Sequence, residues 1–449
     1  MTPPEPPVYD LLIHGATAIT GDPSQPVIED AVVAVAGGRL ALVAPRDPSQ
    51  PLPRAKRILQ GQDQVLTPGF VNVHTHTILT MVRGVAEDMG FAPAYTKGVP
   101  HGHDVTPDEA VALARLGALE ALRFGSTTLN DSYVHADFTL PAMGELGGGV
   151  IACGRIHDVD FSRVADGVWE YDPNLGRTTL DAAVNLAQRW RGTEGGRLDV
   201  QLAAHAPDTC SKAFLAEVRA ARDATGMGVN THLCQSPIEV ERVVARDGMT
   251  PPQLLEEVGL LDDTLLAAHC IWLTDEDIER GGRAKIHVAH IPKGNATRAT
   301  MAPTPKLRRA GAKLTLATDN MHADMVEVMR WGLAVARLQE GKVSEAWQPH
   351  HVFAMATQQG AEGLGGGDGV GSLTMGKNAD MLLWDYRQPH LTPAINPLGN
   401  LVHTALGRDI KTVVVDGEIV VEDGRSTRVD QEQILKAASR AAQQLWARA

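Results

Sequence analysis

Residues 67–76 read TPGFVNVHTH, an apolar run opened by Pro-Gly and closed by two histidines one residue apart. The same design returns along the chain in LDVQLAAH (198–205), MGVNTH (227–232), LLAAHC (265–270), KIHVAH (285–290) and KLTLATD (313–319). Each is a short run of Val, Leu, Ile and Ala with a polar residue at its C-terminal end. Between such runs lie helix-period segments such as TPDEAVALARLGALEALRFG (106–125), and GSTTLND and GVIACGRIHD supply further strands. Strand and helix in alternation predict a parallel sheet. About eight repeats between residues 67 and 370 predict an α/β fold, a (β/α)8 TIM barrel.

The two ends have a different texture. Residues 9–66 carry short alternating apolar runs punctuated by Gly, Pro and Asp, and residues 371–449 return to it in NADMLLWD and KTVVVDGEIVVEDGR. Asp416-Gly417 inside VVVDGEIVV predicts a tight hairpin. The expected organisation is therefore a discontinuous small β-sandwich from residues 1–66 and 371–449 around a barrel spanning 67–370. In the tail, Ile434, Ala438, Ala441 and Leu445 share one helical stripe, so a closing helix is expected there. The glycine-rich GGGDGVG (365–371) lacks the context of a phosphate loop and reads as a joint between barrel and β domain.

Composition narrows the function classes. The 449 residues carry a net charge of −13 with no basic run, which argues against a nucleic-acid or anionic-membrane partner. No apolar run approaches the roughly 20 residues of a membrane span. The opening MTPPEPPVYD has neither a basic nor an apolar signal region, so a cytoplasmic protein is expected. The four scattered cysteines show no C-x-x-C spacing, as suits a reducing compartment.

In a parallel barrel the C-terminal strand ends form the mouth where active sites sit. His74, His76, His205, His232, His269, His290 and Asp319 all stand at such ends. Residues i and i+2 of a strand point the same way, so His74 and His76 can grip one ion, and imidazole and carboxylate suit zinc or another divalent metal. His101 and His103 share that alternation but lie in a Pro- and Gly-rich connection, where a solvated loop is the default. Met321, Met325 and Met329 fall at helical spacing and read as core or pocket wall.

TPGFVNVHTH, HAPDTCS, THLCQSPIEVE, AAHCIWLTDEDI, VAHIPKGN, LATDN and GSLTMGKNADMLLWD together resemble the amidohydrolase superfamily of metal-dependent barrels. The resemblance is greatest to the branch with cytosine and triazine deaminases or chlorohydrolases, and extends to phenylurea and thiocarbamate hydrolases. It implies that His74, His76, His232 and Asp319 are the metal ligands. It further implies that Asp319 is the general base, His269 stands beside the attacking water, and His205 lines the substrate pocket. Binuclear relatives use a bridging residue, usually lysine, from the fourth strand. GVIACGRIHD, taken as that strand, has none, so one divalent ion per chain is expected, zinc first, with Fe, Mn or Co as alternatives. Cys153 in that stretch reads as core. A symmetric homo-oligomer, dimer or higher, is implied as well.

The chain departs from the deaminase pattern where a proton is needed. Relatives that deaminate place a Glu three residues after the fifth-strand histidine; here Gln235 stands there, and an amide cannot titrate. TDNMHADM and HIPKGN are also unusual, and His322 and Asp324 lie where they could supply a proton. His290, His322 and Gln235 join His205 as expected substrate contacts. With no Glu, the reading from sequence is hydrolysis of a urea-, carbamate- or thiocarbamate-like carbonyl of a small xenobiotic or metabolite. The alternative is deamination or chlorohydrolysis of a nucleobase or s-triazine ring.

Overall fold

The computed structural model describes residues 8–89, 93–320, 322–367 and 369–448. Five strands come first: β1 Tyr9–Ile19, β2 Val27–Ala36, β3 Arg39–Pro45, β4 Ala55–Gln60 and β5 Gln64–Pro68. Eight parallel strands follow: β6 Phe70–Thr75, β7 Ser126–Tyr133, β8 Gly149–Ile156, β9 Leu198–Ala204, β10 Val229–Leu233, β11 Leu265–His269, β12 His287–His290 and β13 Lys313–Leu316. The chain then adds β14 Met381–Asp385, β15 Ile410–Val415, β16 Glu418–Glu422 and β17 Arg425–Ser426.

Strands β6 to β13 pair in sequence order, with helices between them as the crossovers that parallel pairing requires. The two outer strands meet in a short seam just beyond β13. There Asp319 N–H donates to the His74 carbonyl at 3.0 Å, and His76 N–H donates to the Asp319 carbonyl at 3.1 Å. Asn72 clasps Thr318 from the side: its Nδ2 donates to Thr318 Oγ1, and its Oδ1 accepts from Thr318 N–H. The barrel is therefore fastened at the residues expected to hold the metal.

The terminal segments build a separate mixed sheet with hydrogen bonding continuous from β17 to β3. Strand β5 joins its halves, running parallel to β1 and antiparallel to β14, with Leu66 opposite Leu383. One apolar cluster draws Leu11, Ile13 and Val33 from the N-terminal half and Met381, Leu383 and Val414 from the C-terminal half. Gly69 turns the chain from this sheet into the barrel. A Cβ there would fall 2.1 Å from Thr127 Oγ1, so only glycine fits.

The hairpin forms at Asp416-Gly417, both with positive φ (47° and 77°), which matches the right-handed twist of the paired strands. The closing helix spans Gln431–Trp446 and buries Ile434, Ala438, Ala441 and Leu445 against the barrel's first helix, Pro107–Arg123. Trp446 Nε1–H donates to the Met81 carbonyl, and Arg448 pairs with Glu109. At the joint, Lys377 donates to the carbonyls of Gly367 and Val370. Met325 and Met329 are core; Met321 lies outside the described residues. No helix among the described residues is long and apolar enough to cross a membrane.

Candidate metal centre and active site

His74 and His76 leave the end of β6, His232 sits near the end of β10, and Asp319 follows β13. His76 Nε2 lies 3.3 Å from His232 Nε2 and 3.4 Å from Asp319 Oδ1, and His74 Nε2 lies 3.9 Å from that oxygen. Four donors about 2.1 Å from one ion in a tetrahedron stand about 3.4 Å apart, so the cluster has the dimensions of a metal site.

The backbone fixes which nitrogen faces inward. His76 Nδ1–H donates to the Ser132 carbonyl and His232 Nδ1–H to the His205 carbonyl, leaving both Nε2 lone pairs on the cluster. His74 Nε2 is buried and has no hydrogen-bond partner. Burial holds all three rings below the ordinary imidazole range, assisted by the neighbouring histidines, and places His232 at about 4. Neutral imidazoles are the ligand form. An orphaned donor, oriented rings and a carboxylate together fit a divalent ion.

His269 completes the floor. Its Nδ1–H donates to Asn295 Oδ1 at 3.1 Å, and it lies with His74 and Asp319 within 4.8 Å by ligand atoms. Burial sets it at about 4. His269 and Asp319 adopt positive φ (72° and 62°), the strained backbone that strand-end active sites retain. Burial raises Asp319, opposed by the Arg298 guanidinium beside it.

Above these residues opens a small cavity. His205 and Gln235 line it as expected. Both ring nitrogens of His205 are engaged: Nδ1–H donates to Thr209 Oγ1, and Nε2 accepts from Arg155 Nη2 at 2.8 Å. His205 thus offers a ring face and anchors an arginine. Gln235 Nε2 is buried with no partner. The backbone N–H of Gln235 donates to Glu239, a buried carboxyl that does not line the cavity.

Other expectations are redirected. His290 is buried and His322 half-buried, and neither lines the cavity; for His290, a strand-end position does not fix which way a ring turns. Asp324 caps the helix Met325–Glu340, accepting from Val326 and Glu327 N–H, and also accepts from Gly407, so it is committed as a cap. GVIACGRIHD supplies the third barrel strand, β8. The fourth is β9, which likewise offers no lysine and ends before His205. Cys153 is buried between Asn130 and Asn230, with its thiol pushed up to about 12 by burial, as a core residue. His101 and His103 stack 5.2 Å apart beside Asp104, away from the cavity lining.

Sequence reasoning missed Tyr95, Tyr133, Arg155, Arg298 and Asn320, all of which line the cavity. Arg155 lies over the Phe161 ring at 3.9 Å, a cation–π contact. It could have been noticed as a polar residue at the end of an apolar strand; Arg298, at the tail of a short helix, carried no such signal. Among the cavity-lining residues, Asp319 is the only carboxylate against two guanidinium groups.

Comparison with known proteins places this geometry. A family model described as the amidohydrolase family matches residues 65–420. A 5-methylthioadenosine/S-adenosylhomocysteine deaminase of Desulforudis audaxviator is 34% identical over 419 residues, 92% of this chain and 94% of that protein. The crystal structure of an adenosine deaminase from Xanthomonas campestris with bound zinc superposes with TM-score 0.87 at 26% identity, covering 98% of this chain and 99% of that one. An atrazine chlorohydrolase from Arthrobacter aurescens complexed with zinc shares the fold at TM-score 0.86 and 23% identity, covering 96% of this chain and 100% of that one.

Proposed function

The chain belongs to the amidohydrolase family of metal-dependent hydrolases, and on that premise we propose that it is a hydrolytic deaminase of an amino-substituted nitrogen heterocycle. The carrying observation is the convergence of His74, His76, His232 and Asp319 on one point at the cavity floor. The relatives' names favour a heterocyclic amidine over the urea- or thiocarbamate-like carbonyl expected from Gln235 alone. We assign those four residues to one divalent ion, with zinc as its identity. β9 has no lysine, and its one carboxylate, Asp199, stands at the N-terminal end of the strand, which supports a single ion.

A bound divalent ion would supply Lewis acidity and a nucleophile at neutral pH. The protein's own groups do the rest. Asp319 accepts a proton from the attacking water and returns it to the departing amine. His269, kept neutral by burial and oriented by Asn295, places its Nε2 lone pair toward the reacting water. Tyr95 and Tyr133 supply ring surface for a flat heterocycle, and Gln235 offers it an amide N–H.

Incubation with aminopurine nucleosides, aminopyrimidines, aminotriazines, phenylureas and thiocarbamates, followed by product mass spectrometry, tests the reading, with Asp319→Asn as the blank. Exchange of an amino group for oxygen with release of ammonia is expected. Cleavage into an amine and carbonyl fragments, with every aminoheterocycle untouched, would overturn it.

A further inference from the structure

The guanidinium of Arg298 is buried with most of its hydrogen-bonding capacity unused. The side chain is 9% exposed, and Nε has no partner. Nη2 reaches Asn320 Oδ1 only at 3.4 Å, and Nη1 lies 3.9 Å from Asp319 Oδ2, beyond hydrogen-bond range. Five N–H donors and a full charge are thus removed from water with little return, which a fold tolerates where a ligand completes the set. The backbone holds it there: Arg298 terminates the helix Pro292–Thr297, its N–H donating to the Asn295 carbonyl. That helix also carries the side chain that orients His269.

The approach is from the substrate side. Asp319 turns Oδ1 toward His74 and His76 and leaves Oδ2 toward Arg298, which lines the cavity. The 3.9 Å gap between cation and carboxylate leaves both free for a third group.

We propose that Arg298 is a catalytic residue whose fixed charge stabilises the ring nitrogen of the substrate while that atom is anionic, in place of a titrating acid at Gln235. The proposal rests on the deaminase reading and names its substrate class, electron-poor aminoazines. As the water oxygen bonds to the amidine carbon, one proton passes to Asp319 and the C=N π pair collects on the ring nitrogen. Arg298 donates hydrogen bonds to that nitrogen without giving up a proton. Asp319 then protonates the exocyclic amine, and the C–N bond breaks with its pair leaving as ammonia. The ring-nitrogen pair re-forms C=N, giving the hydroxy tautomer of the product. No external acid enters the balance.

The test compares wild type, Arg298→Met and Arg298→Lys on aminoazines of graded electron demand. Bound metal is measured by elemental analysis and its retention by chelator competition. Arg298→Met is expected to keep the metal stoichiometry and affinity of wild type and to lose about 100-fold or more in kcat. Its rate should depend more steeply on ring electron demand, and Arg298→Lys should recover at least about tenfold. Loss of metal together with activity in both variants would make Arg298 a support for Asp319 and overturn the proposal. So would an unchanged electronic slope, or an effect confined to KM. A wild-type enzyme inert toward every aminoazine sinks the deaminase reading itself; an active wild type with an unaffected Met variant sinks only the role of Arg298.

Discussion

Gln235 stands where a titrating carboxylate would do most for deamination. Its amide faces the cavity without a partner, next to a backbone turn held by Glu239. Gln235→Glu is therefore expected to raise deamination at least about tenfold, since a positioned acid contributes roughly 10²–10⁴. It should also introduce a carboxyl limb into the pH–rate profile, and steady-state kinetics from pH 5 to 9 check both. The residues we assign to the metal were legible because a barrel writes them into sequence as polar residues closing apolar strands. The cations were not. Arg155 closes an apolar strand, but its role shows only through the nitrogen of His205, and that of Arg298 only through a helix end brought beside Asp319, contacts that no local pattern marks.

At the scale of elements, periodicity was the reliable guide. The stripe Ile434, Ala438, Ala441 and Leu445 buries as its 3.6-residue spacing predicts, because only one face of that helix meets the barrel. Leu445 is fully buried, so Leu445→Ala should cost about 2–5 kcal/mol, read as a lower denaturant midpoint. Counting strands from sequence was less secure: β8 was taken for the fourth barrel strand, since nothing local marks a strand's rank. The turn before β14 carries a second consequence. Asp380 accepts from Asp416 N–H, and burial pushes its carboxyl up to about 7. Between about pH 4 and 7 the folded state then holds a proton that the unfolded state releases. Stability from this group is full below about 4 and falls as pH rises through 7, by up to roughly 4 kcal/mol. Asp380→Asn keeps the acceptor and removes the titration. Relative to wild type it should gain stability at pH 8 and little at pH 4, as thermal melts at the two values will show.

For the whole molecule, the seam matters most. The barrel closes through Asp319, His74, His76 and the Asn72–Thr318 clasp, so residues we assign to a cation also fasten the first strand to the last. Chelation should therefore lower global stability, by about 4 kcal/mol where the free ion stood at a thousand times its dissociation constant. Calorimetry before and after adding zinc back measures this, and the loss should be reversible. The nested sheet has a consequence in time. A ribosome delivers β1 to β5 first and β14 only some 300 residues later, so the edge of β5 waits without its neighbour while the barrel is being synthesised. At the usual 5–20 residues per second that wait lasts on the order of 15–60 s, long enough for a bare strand edge to meet another nascent chain. The stretch most in need of a chaperone during translation is thus the N-terminal half of the sheet.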